Sequence, residues 1–159
     1  MTASMAALAD PAATMRAGAQ LAALVRGGDA IALLGELGAG KTTLVIGLVA
    51  ALGGGGASSP TFSLVNEYPG GRLVVWHVDL YRLERAAELA ELGLDDAIGD
   101  GRGICIIEWA DRFDVMPPDH LRIELSHTPA GRQLVAMGEG PRGRELAREL
   151  LASLQGAPR

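Results

Sequence analysis

Apolar residues recur at helical spacing over residues 12–26, at Met15, Ala19, Ala22, Ala23 and Leu24, with Arg16 and Gln20 between them; Gly27-Gly28 ends the pattern, which predicts a helix. Residues 30–34 form an apolar run too short for a helix and followed by glycines, the signature of a buried strand. Helical spacing resumes over 42–52 and stops at four successive glycines, 53–56. With Ala57-Ser58-Ser59 these glycines make a flexible connection, and within a compact domain such a loop is more often a binding loop than an idle linker.

Farther along, 61–68 and 72–80 read as two strands joined by Pro69-Gly70-Gly71, a hairpin signal. Residues 84–92 favour a helix, 104–109 another short buried strand, and Pro117-Pro118 breaks the chain. Alternation over 120–126 and 132–137 predicts antiparallel strands with one solvated face, and 143–154 closes as an amphipathic helix with Arg144 and Arg148 outward. Strand–loop–helix first and hairpins later predict an α/β fold, its mixed sheet parallel at the centre, antiparallel toward an edge and flanked by helices. Neither a repeat nor a domain boundary interrupts the 159 residues, so a single domain is expected, with its core over about 10–137.

The loop after the first buried strand carries the chemistry. Gly35-Glu36-Leu37-Gly38-Ala39-Gly40-Lys41-Thr42 matches the phosphate-binding pattern G-x-x-x-x-G-K-[ST] in full, and it lies between a strand and a helix, the setting that gives the pattern meaning. The glycines let the backbone turn so tightly that successive N–H groups face α- and β-phosphates, and the helix start adds its positive end. Lys41 is a slim cation able to reach β- and γ-phosphate oxygens, and the Thr42 hydroxyl suits Mg²⁺. This predicts a P-loop nucleotide-binding fold holding ATP and Mg²⁺ around residues 35–43.

Composition sharpens that reading. Of 14 basic residues 13 are arginine, and the single lysine is Lys41, at the one position where a planar guanidinium fits poorly. A formal charge of −5 and 4% aromatic residues exclude a general attraction for nucleic acid and an aromatic platform for single strands. Cys105, the lone cysteine, lies in an apolar run, which predicts a buried thiol and a reducing, cytoplasmic location. No apolar stretch approaches the roughly 20 residues that cross a bilayer, and the N-terminus lacks the pattern of a signal peptide, so no membrane is expected.

A P-loop needs an acid from a neighbouring strand end to hold metal or orient water. Asp79 and Glu108 each end an apolar run, and either suits that role. The hydroxyls of Ser58, Ser59 and Thr61 offer a switch-like loop that would sense the γ-phosphate. His77 reads as a half-buried strand residue and Trp109 as packing; His120 and His127 lack metal-ligand spacing.

Taken in order, Gly-Glu-Leu-Gly-Ala-Gly-Lys-Thr-Thr (35–43), Ser-Pro-Thr-Phe (59–62), His-Val-Asp-Leu-Tyr-Arg-Leu (77–83), Glu-Leu-Ala-Glu-Leu-Gly (88–93) and Ile-Glu-Trp-Ala (107–110) closely resemble the bacterial TsaE (YjeE) family of small P-loop ATPases, over about residues 10–137. The resemblance implies a part in making the threonylcarbamoyladenosine next to the anticodon of tRNA. The partners it implies are the TsaD and TsaB proteins, whose complex is supported over multiple turnovers by ATP binding and hydrolysis, with tRNA contacted indirectly or weakly. It implies Thr42 and Glu108 as Mg²⁺ ligands, Asp79 as the acid needed for hydrolysis, and Lys41 with the backbone of Leu37, Gly38, Ala39, Gly40, Thr42 and Thr43 as the phosphate cradle. It also implies Arg132 as a nucleotide contact and the first helix as a border of the adenine, with Thr14 as a contact; Tyr81 and Arg82 would border the nucleotide or a partner, or belong to a surface network. Slow hydrolysis by the isolated chain is expected, because no arginine finger is placed by the sequence.

Two other functions share the pattern. A small-molecule or nucleotide kinase would need an arginine-rich lid, which residues 84–103 do not supply. A non-hydrolysing assembly module would use bound ATP only to set a shape. Guanine recognition is disfavoured, since no Asn-Lys-x-Asp motif exists and the only lysine is in the loop.

Overall fold

The computed structural model describes residues 4–54, 65–69, 71–81, 101–112 and 114–156. Along these the chain forms β1 (Ser4–Leu8), α1 (Pro11–Leu24), β2 (Ala30–Gly35), α2 (Lys41–Ala51), β3 (Val65–Tyr68), β4 (Val74–Asp79), β5 (Gly103–Glu108), a 3-10 turn (Ala110–Arg112), β6 (His120–Thr128), β7 (Gly131–Glu139) and α3 (Gly140–Gln155). The helix expected over 84–92, Arg82, and the hydroxyl loop at Ser58, Ser59 and Thr61 lie outside the described residues, as does most of the glycine-rich connection.

The described strands make one mixed sheet in the order β1-β7-β6-β2-β5-β4-β3. Strand β2 lies parallel to both β5 and β6, and β4 parallel to β5, while β7 and β1 on one side and β3 on the other run antiparallel to their neighbours. The expected mixed sheet is therefore present. Its apolar central runs are explained by burial on both faces. Ile31 and Leu33 join the larger core beneath the helices, and Ala32 joins Cys105, Ile107 and Val78 on the opposite face.

This topology sets the carboxyl ends of β2, β4 and β5 side by side. Leu33 is in register with Glu108, and Glu108 with Asp79. The turn from β2 into α2 thus opens beside two acids that are remote from it in sequence.

The structure corrects one expectation and adds two features that the sequence pattern did not announce. Residues 4–8 form an edge strand on β7, although Ser-Met-Ala-Ala-Leu holds none of the β-branched or aromatic residues that announce one; pairing with Leu134 and its neighbours supplies what local pattern lacks. The buried face of α1 is Thr14, Ala17, Gly18, Leu21 and Ala22, and Met15 is exposed. Small residues face inward because α1 lies tightly on α2: a methyl added at Gly18 would stand 2.1 Å from the Leu44 carbonyl oxygen, and one at Gly47 2.1 Å from that of Met15. Finally, Arg142 does not join Arg144 and Arg148 on the outer face of α3. It donates to both oxygens of buried Asp29 (3.0 and 2.8 Å) and to the Leu24 carbonyl (2.9 Å), tying α3 to the start of β2 and the end of α1.

Candidate functional site

Strand β2 ends at Gly35, and the turn to α2 is possible because Gly35, Gly38 and Gly40 adopt φ of +149°, +80° and +109°. Helix α2 starts at Lys41 with no side-chain cap, so the N–H groups of its first turn have no acceptor within the helix. These amides and the helix dipole make the loop an anion site. The Lys41 ammonium, 8% exposed, donates to the Gly35 carbonyl (2.7 Å), lies 3.9 Å from Glu108 Oε1 and sits 4.7 Å from the centre of the Trp109 ring. A buried cation so close to its own turn is held at the mouth of the amide ring instead of wandering in solvent.

Glu108, 4% exposed, ends β5 beneath the loop. Asp79 ends β4 alongside it and accepts a hydrogen bond from the Tyr81 N–H (2.9 Å). Burial is the main reason the Asp79 carboxyl titrates above the ordinary value of 3.8; the nearby Glu108 charge acts in the same direction, and the Tyr81 N–H and the charges of His77 and Lys41 oppose it. Trp109 follows at φ +59°, a left-handed conformation that is strained for so bulky a residue, and its ring lies 5.0 Å from that of Tyr81.

A cavity of about 470 Å³ opens over these groups, lined by Leu37, Gly38, Gly40, Lys41, Thr42, Thr43, Asp79, Tyr81, Glu108 and Trp109. Of the residues expected at the site, three do not line it. Ala39 is fully buried, Thr14 is 2% exposed, and Arg132 donates to the Gly38 carbonyl (3.3 Å) from outside the cavity. Thr14 packs behind the loop: a methyl added at Gly40 would meet its Cγ2 at 3.3 Å and its Oγ1 at 3.8 Å.

One hydroxyl and two carboxylates on one wall fit a small hard cation that keeps several waters and takes further oxygens from phosphates. They are too few for an all-protein cage, and among the described residues no group of three or more His, Cys, Asp and Glu could hold a metal.

Sequence reasoning undervalued two residues. His77 is wholly buried, not half-buried, with Nε2 2.5 Å from Glu108 Oε2. Trp109 is a wall of the cavity as well as packing. The signal was parity: in β4, His77 and Asp79 share a face, and parallel pairing with β5 puts Glu108 on that face too. His120 Nδ1 contacts the Pro117 carbonyl (2.7 Å), and Cys105 is buried as expected.

The family model described as threonylcarbamoyl adenosine biosynthesis protein TsaE matches residues 8–134, which include the loop, both acids and Arg132. A tRNA threonylcarbamoyladenosine biosynthesis protein TsaE from Nostoc sp. is 41% identical over 133 residues, 78% of each chain. The protein of the same name from Bacillus subtilis is 38% identical over 133 residues, 81% of this chain and 82% of the relative. A crystal structure of Bacillus subtilis YdiB superposes with a TM-score of 0.74 at 30% identity, covering 94% of this chain and 93% of that one.

Proposed function

The chain belongs to the TsaE family of threonylcarbamoyl adenosine biosynthesis proteins, and from that premise we propose that it serves tRNA threonylcarbamoyladenosine biosynthesis by binding and hydrolysing ATP in support of a TsaD–TsaB complex. The observation that carries the reading is the convergence of Lys41, Thr42, Asp79 and Glu108 on one cavity at an amide-lined turn.

In this reading the triphosphate lies against the amides of residues 37–43, with Lys41 at its β- and γ-oxygens. Asp79 orients a water for in-line attack on the γ-phosphorus and takes its proton. The bond from that phosphorus to the β,γ-bridging oxygen breaks, and ADP and phosphate leave. Lys41 and the amides stabilise the charge that gathers on the transferring group. Mg²⁺, held by Thr42 and Glu108, would neutralise phosphate charge when bound. Arg132 steadies the loop through the Gly38 carbonyl.

Calorimetry with ATP and Mg²⁺, alone and with TsaD–TsaB, tests the reading: uptake is expected, and no uptake in either setting overturns it. Multiple-turnover modification of tRNA then separates an ATPase from an assembly module. An Asp79→Ala protein that binds ATP, cannot hydrolyse it and still sustains many rounds would make the chain a scaffold.

A further inference from the structure

One buried group near the cavity has no part in the chemistry just described. His77 is 0% exposed on β4, next to Val78 and two positions from Val75, where an apolar side chain would pack without leaving a polar atom unsatisfied. Its Nε2 meets Glu108 Oε2, and its Nδ1 is buried with no hydrogen-bond partner among the described residues. A carboxylate can only accept, so the contact places a ring hydrogen on Nε2. The other Glu108 oxygen, Oε1, is the one on the Lys41 side.

We propose that His77 is a positioning residue: its buried Nε2–H occupies Oε2 of Glu108, fixes that rotamer and leaves one oxygen, Oε1, to serve a divalent cation. The inference rests on the nucleotide and Mg²⁺ reading given above and adds a source of metal selectivity to it. A carboxylate with one oxygen already engaged donates singly. That suits Mg²⁺, which demands a strict octahedron, and withholds the two-oxygen grip that larger Ca²⁺ readily uses. Partners that hold a ligating side chain in this way are worth about 10–100-fold in metal affinity. The unpaired Nδ1 is consistent with a ring retained for its other nitrogen.

The test is calorimetric affinity for ADP in EDTA, Mg²⁺ or Ca²⁺, using the full chain as wild type, His77→Leu, His77→Gln and His77→Asn. In wild type, Mg²⁺ should strengthen ADP binding more than Ca²⁺ does. His77→Leu should lose about 10-fold or more of the Mg²⁺ enhancement, and the Mg²⁺ preference with it, while its affinity in EDTA stays within about twofold. Glutamine can place an N–H near the position of Nε2 and should keep most of the enhancement; asparagine, shorter by one methylene, should not. Wild-type enhancement in both the Leu and Asn variants, or parallel loss with and without metal, overturns the proposal. Should His77→Leu fail to fold, equal behaviour of the Gln and Asn variants overturns it alone. Wild-type protein that takes up no ADP, alone or with TsaD–TsaB, overturns the nucleotide reading and this inference with it; ADP uptake that is equal with and without Mg²⁺ overturns the inference and leaves nucleotide binding standing.

Discussion

Lys41 is the residue on which the candidate site depends most. A hydrogen bond to a charged group contributes about 1.5–3 kcal/mol, so Lys41→Ala should weaken ATP binding by about 100-fold, read by calorimetry. Asp79 has a different signature. Asp79→Asn should keep nucleotide affinity and lose about 100-fold or more in kcat. Its raised pKa also fixes two signs. The acid limb of the wild-type rate profile should lie above pH 3.8, because the carboxyl keeps its proton longer than an ordinary aspartate, and the residual rate of Asp79→Asn should lack that limb. In the folding equilibrium, the unfolded chain ionises first as pH rises, so the native state loses stability until its own carboxyl ionises. Asp79→Asn should therefore raise Tm at pH 7 and have no such effect below the ordinary carboxyl range. Much of this was legible in the sequence: Lys41 by its uniqueness, Asp79 and Glu108 by their places at strand ends. The imidazole behind Glu108 was not, because its meaning depends on which strand lies beside β4, and strand order is not written in local pattern.

Among the elements, the α1–α2 contact deserves a direct test because it seats the loop. Gly18→Ala gains up to about 1 kcal/mol in helix propensity, but a carbonyl oxygen 2.1 Å from the new methyl forces the helices apart, and such overpacking costs about 1–3 kcal/mol. The net effect should be a lower Tm together with weaker nucleotide binding, since α2 carries Lys41 at its first position. A pure stability loss, with affinity intact, would show that the loop holds its shape without α1. The other tie is Arg142 with Asp29, whose side chains are 17% and 5% exposed. Asp29→Ala leaves that guanidinium without its main partner and should cost about 3 kcal/mol in denaturant unfolding. Periodicity found both helices, yet it misassigned the inward face of α1: Met15 looks like core, and only a neighbour close enough to demand glycine moves it outside. Likewise, Arg142 is identical to Arg144 in chemistry and differs from it only in what α3 lies against.

At the scale of the molecule, the single cysteine is a built-in reporter. Cys105 stands on the strand beside the centre of the sheet, and burial pushes its thiol pKa up to about 12. Alkylation at neutral pH should proceed only through global opening, so its rate should follow the unfolding equilibrium measured in denaturant. Labelling faster than that would reveal local opening around β5.

The sheet order also bears on how the chain is made. Synthesis delivers β1 well before its hydrogen-bonding neighbour, β7 (Gly131–Glu139), and β2 must wait for both β5 and β6 before both of its edges are covered. A nascent chain emerging from the ribosome therefore carries bare strand edges until β7 has been made, and the turn that would receive a triphosphate takes shape only after β5 and β6. Premature termination before residue 131 would leave an adhesive fragment, a natural client for chaperones rather than a smaller working protein.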